Sequence, residues 1–128
     1  MCTGICFADK ENNLYFGRNL DWSNSYGEKV VVTPAGYSPK SPFKAIKEIK
    51  YPVIGMGIIE ENTPLYFDCA NNQGLAVAGL NFPGYTKYAS PNRNKMGEET
   101  IYEISAYEFP LWITSQHKTV EEVKSHLL

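Results

Sequence analysis

The order of apolar and polar residues predicts a chain that begins with strands and ends with helices. Two short apolar runs, Cys2 to Ala8 and Leu14 to Leu20, flank the segment DKENN, whose Asp and Asn residues favour a turn. The opening stretch therefore predicts a β-hairpin. Four further runs, bounded by proline, glycine or asparagine, predict strands: KVVVT at 29–33, PVIGMGII at 52–59, PLYFDCAN at 64–71 and GLAVAGLNF at 74–82. Strands this close in sequence favour antiparallel pairing.

The last quarter of the chain carries two helix start signals. Residues 105–108 and 119–122 both fit the capping box, in which a Ser or Thr is followed three residues later by Glu. After the second signal, three apolar residues fall on one helical face: Val120, Val123 and Leu127. The sequence stops at Leu128 with no helix stop signal. We therefore expect residues 1–128 to form a single partial domain that ends in mid-helix.

Composition and charge exclude several classes of protein. The 128 residues, 43% hydrophobic and 20% charged, are typical of one folded domain. Twelve basic and 14 acidic side chains give a net charge of -2 without a basic cluster, which argues against nucleic acid or an anionic membrane as a partner. The sequence contains no signal-peptide pattern and no run of about 18 apolar residues. We therefore expect a cytoplasmic protein with a small-molecule partner and no membrane insertion.

The cysteines and histidines do not indicate a metal site or a disulfide framework. Cys2, Cys6 and Cys69 are odd in number and lack CxxC spacing. His117 and His126 have no further ligand nearby in the sequence. We predict no metal and no cofactor, and we interpret Cys6 and Cys69 as packing residues of strands.

Cys2 has a chemical option that the other two cysteines lack. Once Met1 is removed, Cys2 carries a thiol and a free α-amine on the same carbon. The reference pKa values of these groups are about 8.5 and about 7.7 to 8.0, so the amine can accept a proton from the thiol or from a water molecule near neutral pH. Nucleophile and base then belong to one residue, which is the N-terminal-amine form of nucleophilic catalysis. The alternative is a small packing residue at the chain end.

The segment GRNLDW at 17–22 supports the catalytic interpretation. It ends the strand that is predicted to pair with the strand of Cys2, so its charged residues are expected beside that cysteine. Arg18 would favour the thiolate, and Asp21 would accept a hydrogen bond from the α-amine and orient it. The alternative is a solvent-exposed ion pair between Arg18 and Asp21, which would contribute little to stability.

Three segments together carry a family resemblance. MCTGI at 1–5, GRNLDW at 17–22 and NNQGLAVAGLNFPGY at 71–85 resemble the choloylglycine hydrolase family, which includes conjugated bile salt hydrolases and penicillin V acylases. The family belongs to the N-terminal-nucleophile (Ntn) hydrolases. The resemblance implies an α+β fold, the N-terminal portion of an Ntn-hydrolase αββα sandwich, with an antiparallel sheet and C-terminal helices.

The resemblance also implies roles for individual residues. Cys2 matches the nucleophile that attacks the amide carbonyl, and Arg18 and Asp21 match the residues that position and polarise it. Asn81 matches the asparagine whose backbone amide helps to form the oxyanion hole. From local composition alone, Asn81 is equally a turn residue before Phe82.

The family's substrates are amides of bulky acyl groups. Bile salt hydrolases tend to have asparagine at the position of Asn81 and penicillin V acylases tyrosine, so the resemblance favours glycine- or taurine-conjugated bile salts. Apolar residues near the site form a candidate wall for a steroid, although they are equally candidates for the core: Leu20, Ile58, Ile59, Leu65 and Phe67. Penicillin V or N-acyl homoserine lactone acylase activity is the alternative within the family. The alternative from another class is a non-catalytic binding module.

Family members are more than twice as long as this chain. Their second half supplies another oxyanion-hole asparagine and another active-site arginine, so we expect low activity from residues 1–128 alone. The resemblance also implies a homo-oligomer, because full-length family members form tetramers.

Overall fold

The computed structural model describes residues 2–81, 84–85 and 104–127, which form two antiparallel sheets and two helices. The hairpin consists of β1 (Thr3–Ala8) and β2 (Leu14–Asn19). A second sheet has the strand order β3-β4-β5-β6, with β3 (Lys29–Thr33), β4 (Val53–Glu60), β5 (Thr63–Asn71) and β6 (Ala76–Ala78). The helices α1 (Phe109–Gln116) and α2 (Val120–Leu127) follow. The predicted α+β class, antiparallel pairing and C-terminal helices are confirmed.

The hairpin turn is built by the side chain of Asp9. Its carboxylate accepts hydrogen bonds from the backbone N–H of Glu11 at 2.9 Å and of Asn13 at 2.8 Å, so the DKENN segment closes as an Asx-type turn. The register runs from Ala8 opposite Leu14 at the turn to Thr3 opposite Asn19 at the open end. This pairing brings the residues that follow β2 beside Cys2, as the hairpin prediction requires.

The core lies between the four-stranded sheet and α1. Val31, Val53, Tyr66 and Cys69 project from the sheet onto Leu111 of α1, and the loop between β3 and β4 adds Ile46 and Ile49. Burial of these apolar side chains is the main stabilising contribution to the fold.

Close packing within the four-stranded sheet depends on two glycines of β4. A Cβ atom at Gly55 would lie 2.1 Å from the carbonyl oxygen of Asp68, and one at Gly57 would lie 2.4 Å from that of Leu65. Between these glycines the pairing register of β4 and β5 shifts, which leaves Phe67 as an extra residue on β5.

The predicted strand at 74–82 is largely wrong in extent. Only Ala76–Ala78 pair with β5, because a turn with Gly74 at a φ of 86° precedes them and the chain leaves the sheet after Gly79. Phe82, at the end of the predicted strand, lies outside the described residues.

The two helix start signals have different outcomes. The second is confirmed, since α2 begins at Val120 and the Thr119 hydroxyl accepts a hydrogen bond from the backbone N–H of Glu122 at 3.2 Å. The first is wrong in position, because α1 begins at Phe109, although half of the capping box forms: the Glu108 carboxylate accepts a hydrogen bond from the backbone N–H of Ser105 at 3.2 Å. Proline in the first turn sets the start of α1 instead.

Neither described helix is a membrane span. Helices α1 and α2 have eight residues each, and within the described ranges no helix is both long and apolar enough to cross a bilayer. Helix α2 buries none of its residues, so its predicted apolar stripe does not join the core. Leu128 lies outside the described residues.

Candidate active site

A cavity of about 460 Å³ opens beside the amino-terminal end of the hairpin. Three of the four predicted catalytic residues line it: Cys2, Arg18 and Asn81. Four of the five predicted wall residues also line it: Leu20, Ile58, Leu65 and Phe67. The structure therefore brings together reactive and apolar residues that are far apart in the sequence.

Cys2 lies just before β1, half-buried, where the chain can stabilise a thiolate. A hydrogen bond from the backbone N–H of Asp21 lowers the pKa of the Cys2 thiol most strongly. The backbone N–H of Asn81, the positive charge of Arg18 and the amino terminus lower this pKa further, against an opposing effect of burial. The net result is a thiol pKa below its ordinary value, which favours the nucleophilic form at neutral pH.

Asp21 interacts with the amino terminus of the chain. A hydrogen bond from that amine, followed by the amine's positive charge, lowers the pKa of the Asp21 carboxyl. The carboxylate is therefore in place to hold an ammonium or amine group beside Cys2.

Asn81 follows the short strand β6 and presents its backbone N–H to the sulfur of Cys2. A donor aimed at a nucleophilic sulfur also lies close to where a carbonyl oxygen would develop negative charge after attack. The geometry is compatible with the oxyanion role that the family resemblance implies.

Arg18 is buried, with 6% of its side chain exposed. Its Nη2 donates a hydrogen bond to the carbonyl oxygen of Gly79 at 2.6 Å, and its Nε lies 3.6 Å from Oδ2 of Asp68. Neither Nε nor Nη1 has a hydrogen-bond partner among the described residues. The alternative of a solvent-exposed Arg–Asp pair is therefore wrong, since Arg18 is an interior cation that lines the cavity.

An aromatic stack that the sequence analysis missed forms part of the cavity wall. The ring centroids of Trp22 and Tyr26 are 6.3 Å apart, and those of Tyr26 and Phe67 are 5.6 Å apart. Tyr66 and Tyr107, the latter just before α1, add two further rings to the lining. The available signal was the clustering of Trp22 and Tyr26 directly after the charged segment GRNLDW.

Ile59 does not belong to this site. Successive residues of a strand point to opposite faces, so Ile58 faces the cavity while Ile59 is 54% exposed. Ile59 contributes instead to a separate groove of about 200 Å³, together with Val32 and Asn62. Placing both isoleucines in one wall contradicts this alternation.

The remaining cysteines and histidines lie away from the cavity lining. Cys6 is exposed on β1, whereas Cys69 is buried against α1 and burial raises the pKa of its thiol to about 12. His117 is 1% exposed, and its Nε2 lies 2.6 Å from Nδ1 of His126. In the described part of the chain, no group of three or more His, Cys, Asp or Glu residues is arranged to hold a metal ion.

Comparison with known proteins adds independent information. Residues 2–128 match the model of the choloylglycine hydrolase family of linear amide C–N hydrolases. A bile salt hydrolase/transferase from Bifidobacterium longum is 48% identical over 128 residues, which are 99% of this chain and 39% of that relative. A conjugated bile acid hydrolase from Lactobacillus acidophilus is 44% identical with the same coverage.

The solved structures agree with the sequence relatives. A cysteine-to-alanine mutant of the conjugated bile acid hydrolase from Clostridium perfringens superposes with a TM-score of 0.81 at 36% identity, covering 99% of this chain and 37% of that one. The chain thus spans 39% of the length of the curated relatives above and has the fold of the N-terminal portion of such a hydrolase. It belongs to the choloylglycine hydrolase family of linear amide C–N hydrolases.

Proposed function

We propose that this protein hydrolyses the amide bond of glycine- or taurine-conjugated bile salts, with Cys2 as the nucleophile. The observation that carries the proposal is the position of Cys2 at an apolar cavity, where two backbone N–H groups and a buried arginine stabilise its thiolate. The relatives' names, bile salt hydrolase and conjugated bile acid hydrolase, support the substrate class.

The proposed reaction begins with loss of Met1, which frees the α-amine of Cys2. This amine takes the thiol proton, and the thiolate attacks the amide carbonyl carbon. The backbone N–H of Asn81 stabilises the oxyanion, and the protonated amine gives its proton to the departing nitrogen of glycine or taurine. The C–N bond breaks and leaves a thioester on Cys2. The amine then activates a water molecule, which hydrolyses the thioester and releases the bile acid.

Asp21 and Arg18 have supporting roles in this proposal. The Asp21 carboxylate, whose pKa is lowered by the amino terminus of the chain that retains Met1, orients the Cys2 amine toward the sulfur once Met1 is removed. The guanidinium of Arg18, which is held in the cavity wall, stabilises the thiolate electrostatically.

The cavity wall supports a rigid apolar acyl group. Leu20, Ile58, Leu65 and Phe67, extended by the aromatic stack, form an apolar wall on which the face of a steroid can lie. A volume of about 460 Å³ falls within the usual range for small-molecule sites. The same aromatic wall also suits the phenoxy group of penicillin V, which makes that substrate the second candidate.

We also propose that the whole protein acts in the cytoplasm as a homo-oligomer. Free cysteines are consistent with a reducing compartment, and exposed apolar residues on the hairpin, such as Ile5 and Phe7, provide contact area for a partner.

The test is an assay of glycine or taurine release from glycocholate and taurocholate, with penicillin V as the competing substrate. The Bifidobacterium longum relative serves as positive control, Cys2→Ala as blank, and Cys6→Ala, on the strand that follows Cys2, as a matched control. We expect release that Cys2→Ala abolishes and Cys6→Ala leaves unchanged. If a second oxyanion donor is supplied only by the family's second half, the 128-residue chain will be about 100- to 1000-fold slower than the relative.

Three outcomes would contradict the proposal. Faster cleavage of penicillin V than of either bile salt would transfer the assignment to the second candidate. Release that survives Cys2→Ala would place the nucleophile elsewhere. Tight glycocholate binding without any Cys2-dependent release, in the chain and in the product of any continued reading frame, would favour the binding module.

A further inference from the structure

Asp68 stands out in β5 because it is the only charged residue of that strand. Its side chain is 25% exposed, and its Oδ2 lies 3.6 Å from Nε of the buried Arg18. Asp68 is paired in register with Ala78 of β6, the residue before Gly79. The carbonyl oxygen of Gly79 accepts a hydrogen bond from Nη2 of Arg18 at 2.6 Å. The guanidinium of Arg18 is therefore held at Nε by β5 and at Nη2 by the residue that follows β6.

We propose that Asp68 is a positioning residue that acts through Arg18 to fix the guanidinium charge beside Cys2. This inference rests on the proposed role of Cys2 as the nucleophile.

Holding an arginine side chain in one position has a free-energy cost. A long side chain loses rotamer freedom when it is fixed, and a buried charge needs an opposite charge or hydrogen bonds to offset its desolvation. Because Nε and Nη1 have no hydrogen-bond partner among the described residues, the ion pair with Asp68 and the bond to Gly79 are the two anchors on which the position of Arg18 depends. Without the carboxylate, the guanidinium is free to turn toward solvent about its single remaining bond.

The sign of the effect on Cys2 separates positioning from simple electrostatics. The charged groups that act on the Cys2 thiol are Arg18 and the amino terminus. The backbone N–H groups of Asp21 and Asn81 act on it as hydrogen-bond donors. The charge of Asp68 also raises the pKa of the neighbouring Cys69 thiol. If Arg18 kept its place after Asp68 was neutralised, removal of a negative charge would favour the Cys2 thiolate. If Asp68 positions Arg18, the same change disfavours the thiolate.

The experiment measures the rate of iodoacetamide alkylation at Cys2 against pH, residue by residue, by peptide mass spectrometry on chain shown to lack Met1. Asp68→Asn removes the charge at nearly constant shape, and Asp68→Glu is the conservative rescue. Glu11→Gln, in the exposed hairpin turn, is the matched control for loss of one negative charge. Cys6, which is exposed on β1, is the internal control in every sample.

We expect Asp68→Asn to slow Cys2 alkylation about threefold to tenfold at pH 7, which corresponds to a higher thiol pKa. The rate at Cys6 should not change, and Asp68→Glu should restore most of the rate at Cys2. In an Arg18→Met background, Asp68→Asn should have no further effect on Cys2.

Several results would overturn the inference. A faster or unchanged rate at Cys2 in Asp68→Asn would show that Asp68 acts by its own field or only on stability. Asp68→Ser is a second neutral variant, and loss of the fold in both would assign Asp68 to stability alone. If Cys2 of the unsubstituted chain is no more reactive than Cys6, the proposed nucleophile fails, and this inference fails with it.

Discussion

Replacing Arg18 with methionine should stabilise the fold while it weakens the site. Methionine is similar in length, apolar and flexible enough to fill the space that the arginine side chain leaves. The position is interior, since 6% of the Arg18 side chain is exposed. A charged group at such a position loses hydration free energy, whereas an apolar side chain gains free energy from burial.

The contacts of Arg18 indicate the size of the effect. Two buried N–H groups, Nε and Nη1, have no hydrogen-bond partner among the described residues, and each such group costs about 1 to 3 kcal/mol. The charge-assisted bond to Gly79 returns about 1.5 to 3 kcal/mol, and the ion pair with the partly exposed Asp68 returns about 1 kcal/mol at most. Gly79 and Asp68 can both reach water once Arg18 is gone. The net expectation is a gain of about 1 kcal/mol, or about 4 °C in Tm for a chain of this size.

Two measurements on one sample test this expectation. Thermal and urea unfolding give the stability, and alkylation of Cys2 gives the state of the site, which should react about tenfold more slowly at pH 7 without the guanidinium. Lys10→Met, in the exposed hairpin turn, controls for the loss of a positive charge and should leave both readouts unchanged. A loss of 2 kcal/mol or more in Arg18→Met would refute the reasoning, because it would mean that the guanidinium is well paired.

Two further substitutions test the packing that supports the site. Gly55→Ala should cost at least about 3 kcal/mol, because its Cβ would lie 2.1 Å from the carbonyl oxygen of Asp68, whereas Gly17→Ala, with its nearest contact at 3.5 Å, should be neutral or slightly stabilising in urea unfolding. Similar costs at the two glycines would contradict the packing argument. Asn71→Ala should cost about 2 to 4 kcal/mol, since its buried side chain donates hydrogen bonds of 2.7 and 2.8 Å to carbonyls at the carboxyl end of α1, while exposed Asn72→Ala should cost less than about 0.5 kcal/mol. Equal melting temperatures for these two variants would show that the network is dispensable.

Local signals in the sequence determined most of the secondary structure. The DKENN turn and the strand at 29–33 could be predicted because residues close in sequence determine both. An Asp side chain closes the turn, and Pro34 follows directly after β3. The predicted strand after Gly74 was too long, because the residues after Ala78 line the cavity and do not pair with β5. The start of α1 was misplaced because the capping box at 105–108 forms only in part, and the helix begins at Phe109 with Pro110 in its first turn.

The site was predictable in its reactive residues and less so in its wall. Cys2 and Arg18 could be paired from the hairpin alone, because β1 and β2 are adjacent in sequence. The register shift that makes Phe67 an extra residue depends on how β4 and β5 pack, which no local pattern records. The alternation of strand residues would have separated Ile58 from Ile59, which the sequence analysis placed together in the wall. Asp68 carried a readable signal as well, since a carboxylate in an apolar strand needs a partner.

The bond between Arg18 and Gly79 has a consequence for biosynthesis, because it joins residues 61 positions apart. During translation the hairpin leaves the ribosome complete, while the strand that anchors its arginine has not yet been made. At about 5 to 20 residues per second, this delay lasts about 3 to 12 seconds. Throughout that interval the amino terminus is not yet enclosed by the pocket. The long sequence separation therefore allows the proposed removal of Met1 to precede assembly of the pocket around Cys2.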